Sequence, residues 1–329
     1  MENSSRLPPH RVLITDRAWP DTSIEQAVLD PIGGVVFDAP ATDEATLVRC
    51  AAEADAIVTN WAPVTDAVIR AATRCRIVSR FGIGVDNIAV ATATSLGIPV
   101  TNCPDYCVAE VSDHALGLLL ACARRIGFFH WRTKRGEFNL QATTGQQRLS
   151  SQTLGLVGLG HIGREVCRKA RAFGLRVIAH THSGSDHGLN CPMVSLDQLL
   201  AESDYVSLHL PLTPATHCLI DREQFVRMKP TAYLINTSRG GLVNQAALWE
   251  ALQAGRIAGA ALDVFDPEPP DLSQPLFHDE RVIVTPHAAF VSQQAVEQVR
   301  RQAVEQVVAV LSGHRPQNVL NPQIYAGAP

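Results

Sequence analysis

Three polar side chains follow apolar segments in the last third of the chain, and their types suit acid–base and carboxylate chemistry. Arg239 lies in INTSRGG, Glu268 in DVFDPEPP and His287 in VTPHAA. An imidazole exchanges a proton readily near neutral pH, and a neighbouring carboxylate orients the ring and favours its charged form. A guanidinium binds a planar 2-oxo carboxylate through paired donors and polarises its carbonyl group. Together these are the groups that hydride reduction of a ketone requires.

Each of these residues alone would more often belong to an ordinary surface loop, so the functional interpretation depends on their place in the fold. Each follows a segment predicted to be a strand, and in open α/β sheets ligands bind at the carboxyl ends of the strands. We therefore predict that the three side chains converge near one nicotinamide, with Arg239 binding the substrate and Glu268 supporting the histidine. His287 would be the acid in reduction and the base in oxidation.

The cofactor is indicated by residues 153–182, which are predicted to form a strand, a glycine turn, a helix and a second strand. Gly158, Gly160 and Gly163 form a G-x-G-x-x-G directly after an apolar run. In this motif one glycine allows the tight turn, one lets the backbone approach a pyrophosphate, and one lets helix and strand pack closely. The unpaired N–H groups at the helix start then hold the phosphates. The stretch therefore predicts a dinucleotide site.

The end of the second strand, which selects between NAD and NADP, lacks the usual carboxylate. An Asp or Glu about 20 residues after the glycines binds the ribose hydroxyls in NAD-dependent proteins. Here the strand is followed by Thr181, His182 and Ser183, and no carboxylate comes before Asp186. No arginine stands there to hold a 2′-phosphate, and the residues can also be read as an ordinary polar loop. NAD or NADP is expected, with a slight preference for NADP.

Alternating strand and helix patterns predict an α/β fold with two doubly wound parallel-sheet domains. Before the glycine motif, strands are predicted at 12–15, 35–37, 56–59, 77–81 and 99–101. After it, strands at 205–208, 232–236, 259–264 and 282–285 complete a six-stranded sheet. A final helix over 292–312 is expected to return to the first domain. We predict a flavodoxin-like substrate domain of residues 1–103 plus 292–329, and a Rossmann cofactor domain of residues 104–291 inserted in it.

A single long amphipathic helix is predicted over residues 108–131, between the first sheet and the glycine motif. The spacing of its apolar residues indicates one buried stripe, formed by Val111, Ala115, Leu118, Leu119 and Cys122. At its end, Phe128, Phe129 and Trp131 are expected in the core or in a subunit contact rather than in a ligand pocket.

The composition describes a globular protein without a polyanionic partner. The 329 residues are 46% hydrophobic and 18% charged, with a net charge of −4 and a pI near 6.3, so neither nucleic acid nor an anionic membrane is expected. The N-terminus lacks the apolar core of a signal peptide, and the apolar stretch 115–123 is too short to span a bilayer. The eight cysteines are scattered without a C-x-x-C, which favours reduced thiols in the cytoplasm and no metal site.

A second glycine-rich turn, Gly82-Ile83-Gly84, follows a predicted strand of the first domain. Free backbone N–H groups in such a turn can hold a small anion such as a carboxylate. The same sequence is equally compatible with a plain strand-to-helix turn that uses glycine for its positive φ. The local sequence leaves both possibilities open.

These motifs, taken in order, resemble the D-isomer-specific 2-hydroxyacid dehydrogenase family. The resemblance covers nearly the whole chain and rests on GIGVDNI (82–88), VAEVSDHALGLLL (108–120), VGLGHIG (157–163), INTSRGGLV (235–243), GAALDVFDPEPP (259–270) and TPHAA (285–289). It implies an oxidoreductase that transfers a hydride between NAD(P)H and a small 2-oxo acid to give the D-2-hydroxy acid. It also implies hinge closure over the substrate and a homodimer built through the cofactor domains.

The resemblance also implies a set of site residues. Arg239, Glu268 and His287 match the catalytic residues, and Asp263 matches the residue that contacts the nicotinamide carboxamide. The backbone amides around Ile83 and Gly84 are implied to hold the substrate carboxylate. The remaining cofactor contacts are expected at Ser112, Gly158, Gly160, His161, Ile162, Gly163, Thr181, His182, Ser183, Pro211, Thr216 and Thr237.

Two other functions remain open at this stage. A C-terminal binding protein-like corepressor or NAD-sensing module would also retain the Arg, Glu and His, although Phe290 stands where that branch carries Trp. A phosphite dehydrogenase would carry a lysine near Gly82, which this sequence lacks.

Overall fold

The structure, a computed structural model, describes residues 9–143 and 145–326. The chain divides into two compact units. The terminal unit comprises the chain up to Tyr106 together with the chain from Ser292 onwards, and the central unit comprises Cys107–Val291. Each unit is built on one parallel sheet, so the predicted α/β fold with two parallel sheets is confirmed.

The terminal unit begins with four short strand–helix repeats. Its strands are β1 (Arg11–Ile14), β2 (Val35–Asp38), β3 (Ala56–Thr59), β4 (Val78–Arg80) and β5 (Val100–Thr101). Its helices are α1 (Ser23–Leu29), α2 (Glu44–Ala51), α3 (Asp66–Ala71) and α4 (Val90–Ser95). The strands are parallel in the order 2-1-3-4-5, the flavodoxin-like order, which places a switch point between β1 and β3. Side-chain caps start two of the helices: Asp43 accepts from the Thr46 amide, and Thr65 accepts from the Val68 amide.

The central unit carries the glycine motif on a six-stranded parallel sheet. Its strands are β6 (Thr153–Val157), β7 (Arg176–His180), β8 (Tyr205–Leu208), β9 (Tyr233–Asn236), β10 (Gly259–Leu262) and β11 (Val282–Val284). Its helices are α5 (Val108–Ala123), α6 (Ile126–Lys134), α7 (His161–Ala172), α8 (Leu196–Glu202), α9 (Arg222–Arg227) and α10 (Gln245–Gln253). The strand order is 11-10-9-8-6-7, with the switch point between β6 and β8.

This order differs from the Rossmann order 3-2-1-4-5-6 at both edges: among the described residues no regular strand lies beyond β7, and β11 is added beside β10. In the part of the sheet that the structure describes, β7 is the one regular strand on the side of β6 that faces away from β8. The position of a further strand is taken by Met193, which forms an isolated parallel bridge with Ala179. The sheet interior is formed by runs of fully buried residues, because helices cover both faces.

The last helix, α11 (Gln293–Leu311), returns to the terminal unit. Ser292 caps it by accepting from the Ala295 amide at 2.9 Å. The buried Arg300 guanidinium donates to both oxygens of the buried Glu25 carboxylate on α1, at 2.8 and 2.7 Å. This helix covers the terminal sheet, and Ser79 of β4 donates to its Ala303 carbonyl.

The prediction of a single helix over 108–131 is wrong. Two helices, α5 and α6, occupy this stretch, and Arg125 between them adopts a left-handed conformation with φ of 54°. A left-handed residue breaks the helical hydrogen-bond ladder and turns the chain. The Arg125 guanidinium lies over the Tyr233 ring at 5.2 Å, a contact that fixes the turn and that spacing alone does not reveal. Within the described ranges no helix is long and apolar enough to cross a membrane.

Candidate functional site

The glycine turn between β6 and α7 shows that its three glycines are required for different reasons. A Cβ on Gly158, whose φ is +98°, would lie 2.1 Å from the His209 carbonyl oxygen, and a Cβ on Gly163 would lie 2.4 Å from the Gly158 oxygen. A Cβ on Gly160 would meet nothing within 4 Å. Packing therefore requires glycine at 158 and 163, whereas at 160 it keeps open a space that a ligand can fill.

The start of α7 borders this open space. Gly160 is its N-cap and provides no side-chain cap for the first N–H groups, and His161 and Ile162 are its first residues. Uncapped amides at the positive end of a helix of 12 residues attract phosphate groups. The turn therefore fits the pyrophosphate of a dinucleotide.

His209 lies beneath the glycine turn, directly after β8. Its ring is buried, and Nε2 lies 2.9 Å from the Ser207 hydroxyl, while Nδ1 has no hydrogen-bond partner among the described residues. Burial lowers the pKa of His209 to about 4, because the charged imidazolium loses its hydration. The ring is therefore neutral at physiological pH and places no fixed charge below the turn.

The ribose end of the predicted site lies directly after β7. His180 ends this strand, and its Nδ1 lies 3.1 Å from the Val194 carbonyl oxygen. Thr181 is partly exposed, His182 and Ser183 are exposed, and the Thr181 and Ser183 hydroxyls lie 3.4 Å apart. The three residues therefore form a polar rim without a carboxylate.

The other predicted cofactor contacts at this sheet edge are Pro211 and Thr216, in the loop after β8, and Thr237, directly after β9. The Thr216 hydroxyl donates to the Pro211 carbonyl at 2.7 Å and so closes the loop on itself. Thr237 follows β9, and its buried hydroxyl has no partner among the described residues. A buried hydroxyl without a partner is costly, which fits a ligand atom at this position.

Glu268 and His287 meet as the sequence predicts. His287 Nδ1 lies 2.7 Å from Glu268 Oε2, and the other Glu268 oxygen accepts from the Phe265 amide at 2.8 Å. Burial raises the pKa of Glu268, but the hydrogen bond and charge of His287, the Phe265 amide and the Arg239 charge outweigh it and leave the pKa below its ordinary value of 4.5. Glu268 is therefore ionised at neutral pH and fixes the imidazole from one side.

Arg239 is held beside the same loop by a close contact between two backbones. A Cβ on Gly240 would lie 1.9 Å from the Phe265 carbonyl carbon, so only glycine allows this approach. The carbonyl of Arg239 accepts from the Asn236 side chain at 2.8 Å, and its guanidinium donates to the Ser238 carbonyl at 2.8 Å. The glycine that follows Arg239 therefore brings the arginine loop to the Glu268 loop.

Asp263 is buried at the end of β10 and organises the segment that carries His287. Its carboxylate accepts from the Thr285 hydroxyl and from the amides of Ala288 and Ala289, the last two at 2.9 Å. Its backbone carbonyl accepts from the His287 amide at 2.7 Å. The structure therefore brings Arg239, Asp263, Glu268 and His287 together at the carboxyl edge of one sheet.

Three predicted residues do not belong to this sheet edge. Ser112 lies on the side of α5 that faces α7, where its hydroxyl accepts from Lys169 Nζ at 2.8 Å and donates to the Ala109 carbonyl at 2.8 Å. Ile83 and Gly84 belong to the terminal unit, in the loop after β4, and the Ile83 carbonyl accepts from the Asn102 side chain at 2.7 Å. The catalytic candidates all belong to the central unit.

One polar residue next to this set, His114, was not predicted from the sequence. His114 of α5 places Nε2 at 3.0 Å from the Thr285 hydroxyl and at 3.6 Å from Asp263 Oδ1. The sequence carried one indication of this residue, because His114 lies between the apolar positions of the predicted helix, close to its buried stripe. In the part of the chain that the structure describes, no cluster of three His, Cys, Asp or Glu side chains could hold a metal ion.

Comparison with known proteins agrees with this geometry. The sequence pattern described as "D-isomer specific 2-hydroxyacid dehydrogenase, NAD binding domain" matches residues 116–289. The glyoxylate reductase of Korarchaeum cryptofilum is 40% identical over 280 residues, which cover 83% of this chain and 84% of that protein. The D-3-phosphoglycerate dehydrogenase of Methanocaldococcus jannaschii is 36% identical over 94% of this chain, but the match spans only 59% of that longer protein.

Solved structures give the same result and include both nicotinamide cofactors. The D-lactate dehydrogenase of Aquifex aeolicus, complexed with NAD and lactic acid, has a TM-score of 0.84 at 29% identity, covering 92% of this chain and 96% of that one. The NADPH-dependent glyoxylate/hydroxypyruvate reductase of Sinorhizobium meliloti, in complex with NADP and malonate, has a TM-score of 0.85 at 28% identity, covering 95% and 97%.

The fold, the glycine turn and the polar cluster thus define a two-unit α/β oxidoreductase of the nicotinamide-dependent class. The chain belongs to the D-isomer-specific 2-hydroxyacid dehydrogenase family. The predictions of this family and of a nicotinamide dinucleotide as cofactor are confirmed.

Proposed function

We propose that the protein reduces a small 2-oxo acid to the D-2-hydroxy acid with NAD(P)H, and that His287 exchanges the proton. The observation that carries this proposal is the 2.7 Å contact between His287 Nδ1 and Glu268 Oε2, at the sheet edge that also holds the glycine turn. The names of the related glyoxylate reductase and hydroxypyruvate reductase support this substrate class.

The residues divide the reaction between them. When bound, the nicotinamide would supply the hydride for the carbonyl carbon of the substrate. Glu268 accepts from Nδ1, so the proton that His287 exchanges with the substrate oxygen is carried by Nε2. Arg239 binds the substrate carboxylate and polarises the carbonyl, which stabilises the negative charge that develops on oxygen. In oxidation, His287 Nε2 accepts the hydroxyl proton instead.

In this proposal, one domain binds the cofactor and the other contributes to substrate binding. Residues 104–291 form the cofactor domain, in which the cofactor contacts expected from the sequence hold the dinucleotide. Residues 1–103 plus 292–329 form the substrate domain, in which the amides of Ile83 and Gly84 bind the substrate carboxylate. The uncapped start of α7, the open space at Gly160 and the unpartnered Thr237 hydroxyl support the cofactor assignment.

NADP is proposed as the slightly preferred cofactor, although both dinucleotides can be used. The rim at Thr181, His182 and Ser183 contains no carboxylate to repel a 2′-phosphate. Hydroxyls and an exposed imidazole can instead donate hydrogen bonds to that phosphate.

A homodimer is proposed through α6 and the segment after it. The side chains of Ile126, Trp131, Phe138 and Leu140 are 55%, 57%, 97% and 87% exposed, a concentration of apolar surface that a second copy would cover. Light scattering should give twice the 35.6 kDa chain mass for the wild type and a lower mass for Trp131→Glu. The exposed apolar Val226 of α9 provides the control, since Val226→Glu should leave the mass unchanged. A monomeric wild type would contradict this part of the proposal.

The cytoplasm is proposed as the location. None of the eight cysteines forms a disulfide, and four of the buried ones lie in the central unit. Reduced thiols are typical of the cytoplasm.

The proposal is tested by following the absorbance of the reduced nicotinamide. NADH and NADPH should be run in parallel against glyoxylate, hydroxypyruvate, pyruvate, phenylpyruvate and 2-ketogluconate, and the product configuration should be determined by chiral chromatography. We expect turnover with at least one of these acids and a product of D configuration. Tight binding of the dinucleotide without turnover on any acid would instead favour an NAD-sensing or corepressor-like module.

A further inference from the structure

A chain of hydrogen bonds joins His114 of α5 to the segment that carries His287. His114 Nε2 lies 3.0 Å from the Thr285 hydroxyl, and that hydroxyl donates to Asp263 Oδ1. A threonine hydroxyl carries one proton, and the carboxylate that takes this hydrogen bond acts as the acceptor. The Thr285 oxygen must therefore accept from His114, so His114 Nε2 is protonated and acts as the donor.

Asp263 is the centre to which this chain leads. Its side chain is 0% exposed, and both carboxylate oxygens accept hydrogen bonds from residues 285–289. Breaking a hydrogen bond to a buried carboxylate is costly, because the negative charge of the carboxylate then loses a donor that stabilised it. His114 donates to the Thr285 oxygen, and its Nε2 lies 3.6 Å from Asp263 Oδ1. From α5, His114 therefore stabilises the hydrogen bonds between Asp263 and residues 285–289.

The segment that carries His287 comprises residues 285–289. Residues 285–289 lie between β11 and α11 and belong to neither a helix nor a strand. His287 itself has a φ of +52°, a conformation that non-glycine residues adopt only when their surroundings impose it. Its position against Glu268 therefore depends on the hydrogen bonds that hold the segment, including those that end at Asp263.

We infer that His114 is a positioning residue, which acts through Thr285 and Asp263 to hold His287 in its left-handed conformation against Glu268. The kinetic consequence rests on the proposed function, whereas the structural consequence does not. Residues 285–289 should become mobile when the His114 donor is removed and should be held again when another donor replaces it.

The kinetic test uses variants that differ only in hydrogen-bonding capacity. His114→Leu removes the donor, and His114→Gln keeps an N–H group at a similar reach. We expect His114→Leu to lower kcat by about tenfold while the KM for the 2-oxo acid and the affinity for NADPH stay unchanged, and His114→Gln to restore most of kcat. Gly117→Ala, on the same helix and with open space around the new Cβ, is the matched control.

A double-mutant cycle identifies the route. Thr285→Val is isosteric but lacks the hydroxyl, and Thr285→Ser retains it. If His114 acts through Thr285, the double variant His114→Leu/Thr285→Val should lose no more activity than the worse of the two single variants. Additive losses, or a His114→Gln variant as impaired as His114→Leu, would overturn the inference.

Amide hydrogen exchange tests the structural part without activity. The peptide covering 285–291 should exchange about tenfold faster in His114→Leu than in the wild type, and at the wild-type rate in His114→Gln and Gly117→Ala. If the wild type reduces no 2-oxo acid but this pattern appears, the proposed function fails and the positioning role stands. If exchange in the peptide is the same in His114→Leu and the wild type, the positioning role is wrong whatever the activity.

Discussion

Glu268 and His287 are 19 residues apart in sequence, and their side chains meet at 2.7 Å between Oε2 and Nδ1. Neither residue lies in a helix or strand, so the contact depends on the loops after β10 and β11. The Glu268 carboxylate is fixed from its other oxygen by the Phe265 amide. In the proposed reaction this contact leaves Nε2 as the nitrogen of His287 that exchanges the proton.

The Glu268 contact predicts a stability difference that depends on pH. The pKa of Glu268 is below its ordinary value of 4.5 in the folded protein, so its contribution is present above that value and lost as the pH falls through the folded pKa. Glu268→Gln should lower the free energy of unfolding at neutral pH, and the difference from the wild type should shrink as the pH falls below 4.5. Urea unfolding across this range measures it, with Glu223→Gln on exposed α9 as the control. A difference that stayed constant with pH would refute the assignment.

The open space at Gly160 predicts a loss of cofactor binding without a loss of fold. Gly160→Ala should change the free energy of unfolding by no more than about 1 kcal/mol, because the new methyl group meets no protein atom within 4 Å. The same methyl group should weaken NADPH binding by about tenfold or more, which fluorescence titration measures. Gly163→Ala should instead destabilise the fold, since its Cβ would lie 2.4 Å from the Gly158 oxygen. Unchanged NADPH affinity in Gly160→Ala would place the pyrophosphate elsewhere.

The rim after β7 predicts how the cofactor preference can be shifted. Thr181→Asp introduces the carboxylate that binds ribose hydroxyls and repels a 2′-phosphate. The ratio of kcat/KM for NADH to that for NADPH should rise by about tenfold, or about 1.4 kcal/mol. Thr181→Asn, which has the same shape without the charge, should shift the ratio much less. Equal ratios in the Asp variant and the wild type would show that Thr181 does not face the 2′ position.

His209 predicts a separate loss of stability in mild acid. Its pKa falls from 6.5 to about 4 on folding, so the unfolded chain takes up the proton first as the pH decreases. This group should therefore remove about 2 kcal/mol of the free energy of unfolding between pH 6.5 and pH 5. His209→Gln should show a correspondingly flatter dependence in denaturant titrations, whereas His130→Gln, at an exposed site, should match the wild type. Identical slopes for His209→Gln and the wild type would show that His209 titrates normally.

The sequence allowed the sheets, the glycine turn and the Glu268–His287 pair to be predicted, because these depend on local periodicity and on strand ends meeting at one edge. Three features depend on contacts between distant segments and could not be predicted. Arg125 separates α5 from α6 in a left-handed conformation, although no glycine or proline marks the break. Gly240 serves a close approach to Phe265, and His114 reaches Thr285 across 171 residues of sequence.

The central claim, that His287 transfers the proton in a reductase reaction, is tested most directly by His287→Asn. Asparagine tolerates the left-handed conformation at this position and can still donate to Glu268, but it has no group that replaces the proton carried by Nε2. The measurement is kcat for the best 2-oxo acid at neutral pH, with NADPH affinity determined on the same samples by fluorescence. We predict a decrease in kcat of about 10²- to 10⁴-fold with unchanged NADPH affinity. A His287→Asn variant that retains the wild-type kcat would contradict the account.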